Sequence, residues 1–295
     1  MGGFSGPFVG FARQNLLVSG GWELWQRGAG PFSATTAYTA DRWQISLAGT
    51  DTLQVDREGA VKEADSLYSA LCTFVLGTGA GATRLRQRLV ISDGFHWLLG
   101  RTVSLRMSVR TATAAAVRAV ITTDGTGGTS TYSSYHTGGG AFERLTVVGV
   151  AIPSDATYIE LAVAFAASAT VYLDNGMAVE GSVAAPYRQM HPVDELARAQ
   201  RYYEIQGANG DISYVEYAAN AGVSSRQPHR LMVQKSVAPT VTKNGTWYVD
   251  NATQPIIAGT PSVNTYSISF DSVAAGYPAV TTNSTDDTIT VEANP

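Results

Sequence analysis

Residues 103–110 read VSLRMSVR, and residues 84–90 read RLRQRLV. In the first stretch Val103, Leu105, Met107 and Val109 alternate with Ser104, Arg106, Ser108 and Arg110. In the second, Leu85, Gln87 and Leu89 alternate with Arg84, Arg86 and Arg88. A period of two places successive side chains on opposite faces of an extended chain, so each stretch predicts a half-buried β-strand.

Working outward, further strands are expected at 52–57, 67–76, 116–123, 143–152, 158–166 and 170–180. Glycine-rich turns such as GTGAGAT, DGTGGTS and HTGGG separate them. Regularly spaced strands with no alternating helices point to two antiparallel sheets packed as a sandwich. A helical signal stands at HPVDELARAQ, 191–200: Pro192 falls at a start, and Asp194 and Glu195 complement the free N–H groups and dipole of a first turn. Beyond it, 211–295 reads as a second β-rich region punctuated by Pro239, Pro255, Pro261 and Pro278. The expected organisation is an arm at 1–14, a jelly-roll sandwich at 15–190, a short helix and connecting strand at 191–210, and a smaller β domain at 211–295.

Composition agrees. Apolar residues make up 44% of the 295, enough for a buried core, and charged residues only 15%. Glycine, serine, threonine and alanine fill the difference, a mix that favours short strands and turns. The net charge of −4 offers no global attraction for nucleic acid. No run reaches the ~18 apolar residues of a membrane span, and the N-terminus lacks the positive region of a secretory signal. The single cysteine, Cys72, sits in LYSALCTFVL and is expected to be buried and inert.

Catalytic motifs are missing: there is no HExxH, GxSxG or phosphate-binding GxxxxGK[ST]. GTGAGAT has no lysine after it and reads as a turn. Acidic residues are sparse, and the expectation is a protein without catalysis.

Aromatic rings offer flat faces to sugars, with neighbouring polar groups for the hydroxyls. The candidates are Trp43, Trp97, and the cluster Tyr132, Tyr135 and His136 in STYSSYHTGGG. The two tyrosines serve equally as caps on a sheet edge, and Trp43 as a structural ring. Trp22 and Trp25 fall on opposite faces of an expected short strand, so at least one is core. Arg84, Arg86 and Arg88 line one sheet face; they fit an acidic polysaccharide, an acidic neighbouring subunit, or a solvated face with local carboxylates. Glu23 and Asp174, near the first and last strands, are candidates for a structural calcium, which takes oxygen ligands. Phe4, Phe8 and Phe11 sit in a glycine-rich arm that either packs back or docks on a partner.

Taken in order, NLLVSGGWELWQRG, YTADRW, LRQRLVISDGFHWLLGRTVSLRMSVRT, AFERLTVVGVAIPSDATYIELAV, VYLDNGMAVEGSVAAPY and DELARAQRYYE carry a family likeness over residues 15 to about 205. The chain resembles bacteriophage tail-fibre and spike-type virion proteins with a carbohydrate-binding-module-like jelly roll. Trp22 stands where that family has phenylalanine or another apolar residue, Ala199 where a cysteine is frequent, and Met177-Ala178-Val179 where Val-Gln-Leu is usual. The resemblance implies a virion component, often a homotrimer, that binds host cell-surface polysaccharide, and an N-terminal arm that attaches to other virion proteins. The alternatives are a structural adaptor or decoration protein and a polysaccharide depolymerase.

Overall fold

The computed structural model describes residues 14–207 and 211–295, so the arm phenylalanines Phe4, Phe8 and Phe11 lie outside the described residues. The chain divides into two units, Met1–Met190 and His191–Pro295.

Ten strands build the first unit: β1 (Gln44–Ser46), β2 (Thr52–Glu58), β3 (Ser69–Val75), β4 (Arg84–Val90), β5 (Thr102–Thr111), β6 (Val117–Thr123), β7 (Ser130–Tyr132), β8 (Phe142–Ala151), β9 (Tyr158–Phe165) and β10 (Ala169–Glu180). They form two five-stranded antiparallel sheets, ordered β1-β4-β9-β6-β7 and β2-β3-β10-β5-β8. From β3 onward the chain repeatedly crosses from one sheet to the other, so most pairings join strands distant in sequence, the exceptions being β2 with β3 and β6 with β7. That is jelly-roll topology.

The core follows from the alternation. Leu85, Leu89, Ile159, Leu161, Val163, Phe165, Val117, Ala119 and Ile121 from the first sheet meet Leu53, Val55, Cys72, Phe74, Val103, Leu105, Met107, Val109 and Leu173 from the second. Burial pushes the Cys72 thiol far up, so it stays protonated. Gln87 is the one polar side chain on the inward face of β4, and both ends of its amide are satisfied by the Val18 backbone. This bond pins the 15–19 segment under the sheet.

Two expectations need correction. Trp22 and Trp25 do not lie on a strand; residues 15–30 form turns, and Trp22 adopts φ +59°, a left-handed conformation incompatible with a strand. Both rings are buried. The outer face of the strand at 103–110 is not left open to solvent: Ser104 and Ser108 are fully buried, and Arg106 and Arg110 are half-buried. The loop before β3 closes over the outer face, with Glu63 bonding Ser108 and Arg144.

In the second unit, helix α1 (Pro192–Gln200) begins where expected, and the His191 ring accepts the Val193 N–H at 3.3 Å. Residues 191–207 are part of this unit and not a separate connector, because β11 (Tyr203–Gln206) pairs with β19 (Ile289–Glu292) at the chain's far end. The remaining strands are β12 (Ser213–Val215), β13 (Ser224–Arg230), β14 (Thr240–Lys243), β15 (Tyr248–Asp250), β16 (Ile256–Ile257), β17 (Thr265–Asp271) and β18 (Ala279–Thr281). Three three-stranded sheets result, ordered β11-β19-β14, β12-β18-β15 and β13-β17-β16. Ile212, Leu231, Trp247, Tyr266, Ile268, Ile289 and Val291 make the core. Buried within the unit is an ion pair, Lys235 with Glu204. Among the described residues no helix is long and apolar enough to cross a membrane.

Candidate functional site

The sheet β1-β4-β9-β6-β7 buries one face and turns the other outward, and its register lays out that outer face in rows. Ser46, Arg84, Ala164 and Arg118 form one row. Gln44, Arg86, Ala162, Val120 and Tyr132 form the next. Arg88, Glu160, Thr122 and Ser130 form the third. The small side chains of the central strand β9 let long side chains from its neighbours lie flat across it, covering Ala162 and Ala164 completely.

The arginines do so. Arg84 donates to Glu160 at 2.6 Å and to Thr122 at 2.9 Å, and reaches the Tyr132 hydroxyl at 3.3 Å. Arg86 donates to Glu160 at 2.9 Å and to the Gln44 amide oxygen at 3.1 and 3.2 Å. Arg88 donates to Glu160 at 3.0 Å through Nε alone, with its guanidinium over the Tyr158 ring at 4.5 Å. Burial by itself would raise the Glu160 pKa; hydrogen bonds and charge from Arg84, Arg86 and Arg88 outweigh it and hold the carboxyl below its usual range. Glu160 is therefore a fixed anion.

At the β7 edge, the Arg118 guanidinium lies 3.6 Å from the Tyr132 ring centroid and 4.7 Å from that of Tyr135. Such cation–π contacts hold a guanidinium in place while its N–H edge stays open. Among the described residues Arg118 has no carboxylate partner and no hydrogen bond. Tyr135 is 38% exposed.

The sequence candidates separate accordingly. Tyr132 and Tyr135 come together on this face through Arg118. Trp97 is elsewhere: it is 40% exposed in a short 3₁₀ turn, His96–Leu98, beside a cavity of about 360 Å³ lined by Gln14, Leu16, Glu180 and Gly181. Trp43 and His136 are corrections. Trp43 is wholly buried, so neither of its faces can meet a ligand. His136 is buried beside them in sequence only: Nδ1 accepts the Gly138 N–H and Nε2 lies within 3.0 Å of the Val109 carbonyl, so the imidazole braces the 136–141 turn.

Glu23 and Asp174 do not form a calcium site. Both Glu23 oxygens accept the Gln189 amide. The Asp174 carboxylate accepts the Glu63 and Asn175 N–H groups and the Ser66 hydroxyl. Among the described residues no group of three or more His, Cys, Asp or Glu is placed to hold a metal.

Glu160, Arg118 and Gln44 escaped the sequence reading. Glu160 is the lone acid in YIELAVAFA, and Arg118 the lone base in AVRAVITT. Both signals are visible, but their meeting depends on pairings between strands more than seventy residues apart in the case of Arg88 and Glu160.

No protein-family model matches the chain. No curated protein matches it. Among solved structures it is similar to the C-terminal family 22 carbohydrate-binding module of Clostridium thermocellum Xyn10B, with a TM-score of 0.36, 19% identity, and coverage of 52% of this chain and 94% of that one. It is similar to the tandem CBM22-1-CBM22-2 domain of Paenibacillus barcinonensis Xyn10C, at 0.36, 12%, and 90% of each chain. It is also similar to the enzymatically active domain of bacteriophage CBA120 tailspike protein 4, at 0.36 and 18%, over 48% of this chain and 19% of that one. Scores this low carry no weight for fold or function, and the sandwich rests on the strand order itself.

Proposed function

We propose that this chain is a non-catalytic carbohydrate-binding component of a bacteriophage fibre or spike, made in the host cytoplasm and carried on the virion. The observation that supports the binding role is the Tyr132–Arg118–Tyr135 stack beside a flat lattice of side-chain donors and acceptors. Sugars are gripped by aromatic faces together with planar polar groups that address neighbouring hydroxyls. A sheet holds such groups rigidly, which lowers the ordering cost of binding. Glycoside cleavage requires two cooperating carboxyl groups; within the lattice Glu160 stands alone and is engaged by three arginines. The virion assignment draws on the six ordered sequence segments, and with it come trimer formation, attachment through the N-terminal arm and adsorption to host polysaccharide. Three linked copies would raise weak single-site affinity by avidity.

A glycan array probed with the purified chain, followed by product analysis of any bound polysaccharide, tests the reading. Binding without shortening of the polymer is expected, and binding weakens in Tyr135→Ala. Absence of binding to every glycan, or release of oligosaccharides, overturns it. A structural adaptor is the second reading, favoured by the Tyr217–Tyr277 pair in the second unit, whose rings lie 5.4 Å apart and which are 63% and 67% exposed.

A further inference from the structure

We infer that the ligand of this face is acidic: a polysaccharide chain carrying uronic-acid carboxylates. The inference rests on the carbohydrate-binding reading above and specifies its substrate class.

Charge balance carries it first. Four guanidinium groups, Arg84, Arg86, Arg88 and Arg118, share the lattice with one carboxylate, Glu160. The next acid along that edge, Asp124, is turned onto the N–H groups of Thr157 and Tyr158 and the Thr157 hydroxyl. The positive excess is local, because the chain as a whole carries −4. Selection for the ligand's charge therefore comes from this face and not from the chain's net charge.

Unused donors carry it second. A guanidinium offers five N–H groups. Arg84 and Arg86 spend most of theirs inside the lattice. Arg88 spends one and its side chain is 41% exposed, and Arg118 spends none. These two arginines stand two strands and four residues apart along the sheet, about 16 Å from strand spacing and rise, a span for a chain and not for one ion. Tyr158 backs one and the two tyrosines clamp the other, so both forks are pre-aimed.

Geometry supplies the third argument. Glu160 shows what the face recognises, since three guanidinium groups already converge on its planar carboxylate. A guanidinium fork matches a carboxylate in two parallel hydrogen bonds. A uronate brings that carboxylate on a ring whose hydroxyls meet Gln44, Thr122 and Ser130.

The experiment titrates the full chain with a uronic-acid oligosaccharide, its carboxyl-reduced neutral counterpart, a sulfated oligosaccharide and a single-stranded oligonucleotide. The uronate is expected to bind tightest, and carboxyl reduction to weaken binding about tenfold or more. Binding falls as salt rises. Arg88→Gln and Arg118→Gln each lose about tenfold for the uronate and less for the neutral chain, so the preference for the acidic chain narrows in both. Arg88→Gln leaves Arg84 and Arg86 on Glu160, so it remains informative if Arg118→Gln disturbs the tyrosine clamp. Equal binding of the acidic and reduced chains overturns the inference and leaves the carbohydrate reading standing. Preference for the sulfated chain or the oligonucleotide also overturns it. Failure of all sugars to bind overturns both.

Discussion

Trp43 stacks on Trp22 with ring centroids 4.3 Å apart and planes 20° apart, and its indole N–H donates to the Ser19 carbonyl at 3.1 Å. Both rings are fully buried members of the sandwich core. Trp43→Ala leaves a large cavity, while the Ser19 carbonyl keeps the Trp22 backbone N–H. A loss of about 3–5 kcal/mol is expected in denaturant unfolding, with a smaller loss for Trp43→Phe.

Glu160 holds three arginines that are themselves partly buried. Glu160→Gln leaves their charges uncompensated, and a loss of about 3 kcal/mol is expected. Its pKa is depressed, so its contribution is present above the unfolded carboxyl pKa and is lost as pH falls through the lower folded value. The stability difference between wild type and Glu160→Gln should accordingly shrink under acid, as followed by urea titration at a series of pH values.

Asp174 behaves in the opposite sense. Burial pushes its carboxyl up to about 6, against the pull of hydrogen bonds from Glu63, Ser66 and Asn175. An unfolded aspartate titrates near pH 4, so between ~4 and ~6 the folded chain binds a proton that the unfolded chain does not. That stabilisation is complete below about pH 4 and is lost as pH rises through 6. Relative to Asp174→Asn, wild type should weaken by about 2–3 kcal/mol between pH 4 and pH 7. A flat difference across that range would refute the assignment.

In the second unit, Lys235 and Glu204 are both fully buried, and Lys235 also donates to the Gln200 carbonyl at the end of α1. Burial pulls the Lys235 pKa down, and the Glu204 partner opposes it. Lys235→Met strands a buried carboxylate and should cost about 3–5 kcal/mol. Replacing both residues by apolar ones should recover much of that loss, and a double-mutant cycle measures the recovery.

Trp97 gives a contrasting outcome. Its ring is 40% exposed, so Trp97→Ala should change stability by no more than about 1 kcal/mol. Retained glycan binding in that variant would place recognition on the arginine face and not in the Trp97 cleft.

Local pattern alone determined much of this protein. The alternation in 84–90 and 103–110 specified strands that occur at those positions, and the residues of HPVDELARAQ specified a helix start, because side-chain period and end-capping are properties of a few neighbouring residues. The buried Cys72 was legible for the same reason. What surrounds a strand was not. Ser104 and Ser108 look solvent-facing in sequence, yet Glu63, in a loop 45 residues earlier, covers Ser108. Trp43 and Trp97 are chemically the same residue, and only packing decided that one is core and the other exposed. Glu160 meets Arg84, Arg86 and Arg88, and Arg118 enters between Tyr132 and Tyr135, through strand register. Register is a long-range choice made by burying the opposite face of the sheet, so no local window of sequence contains it.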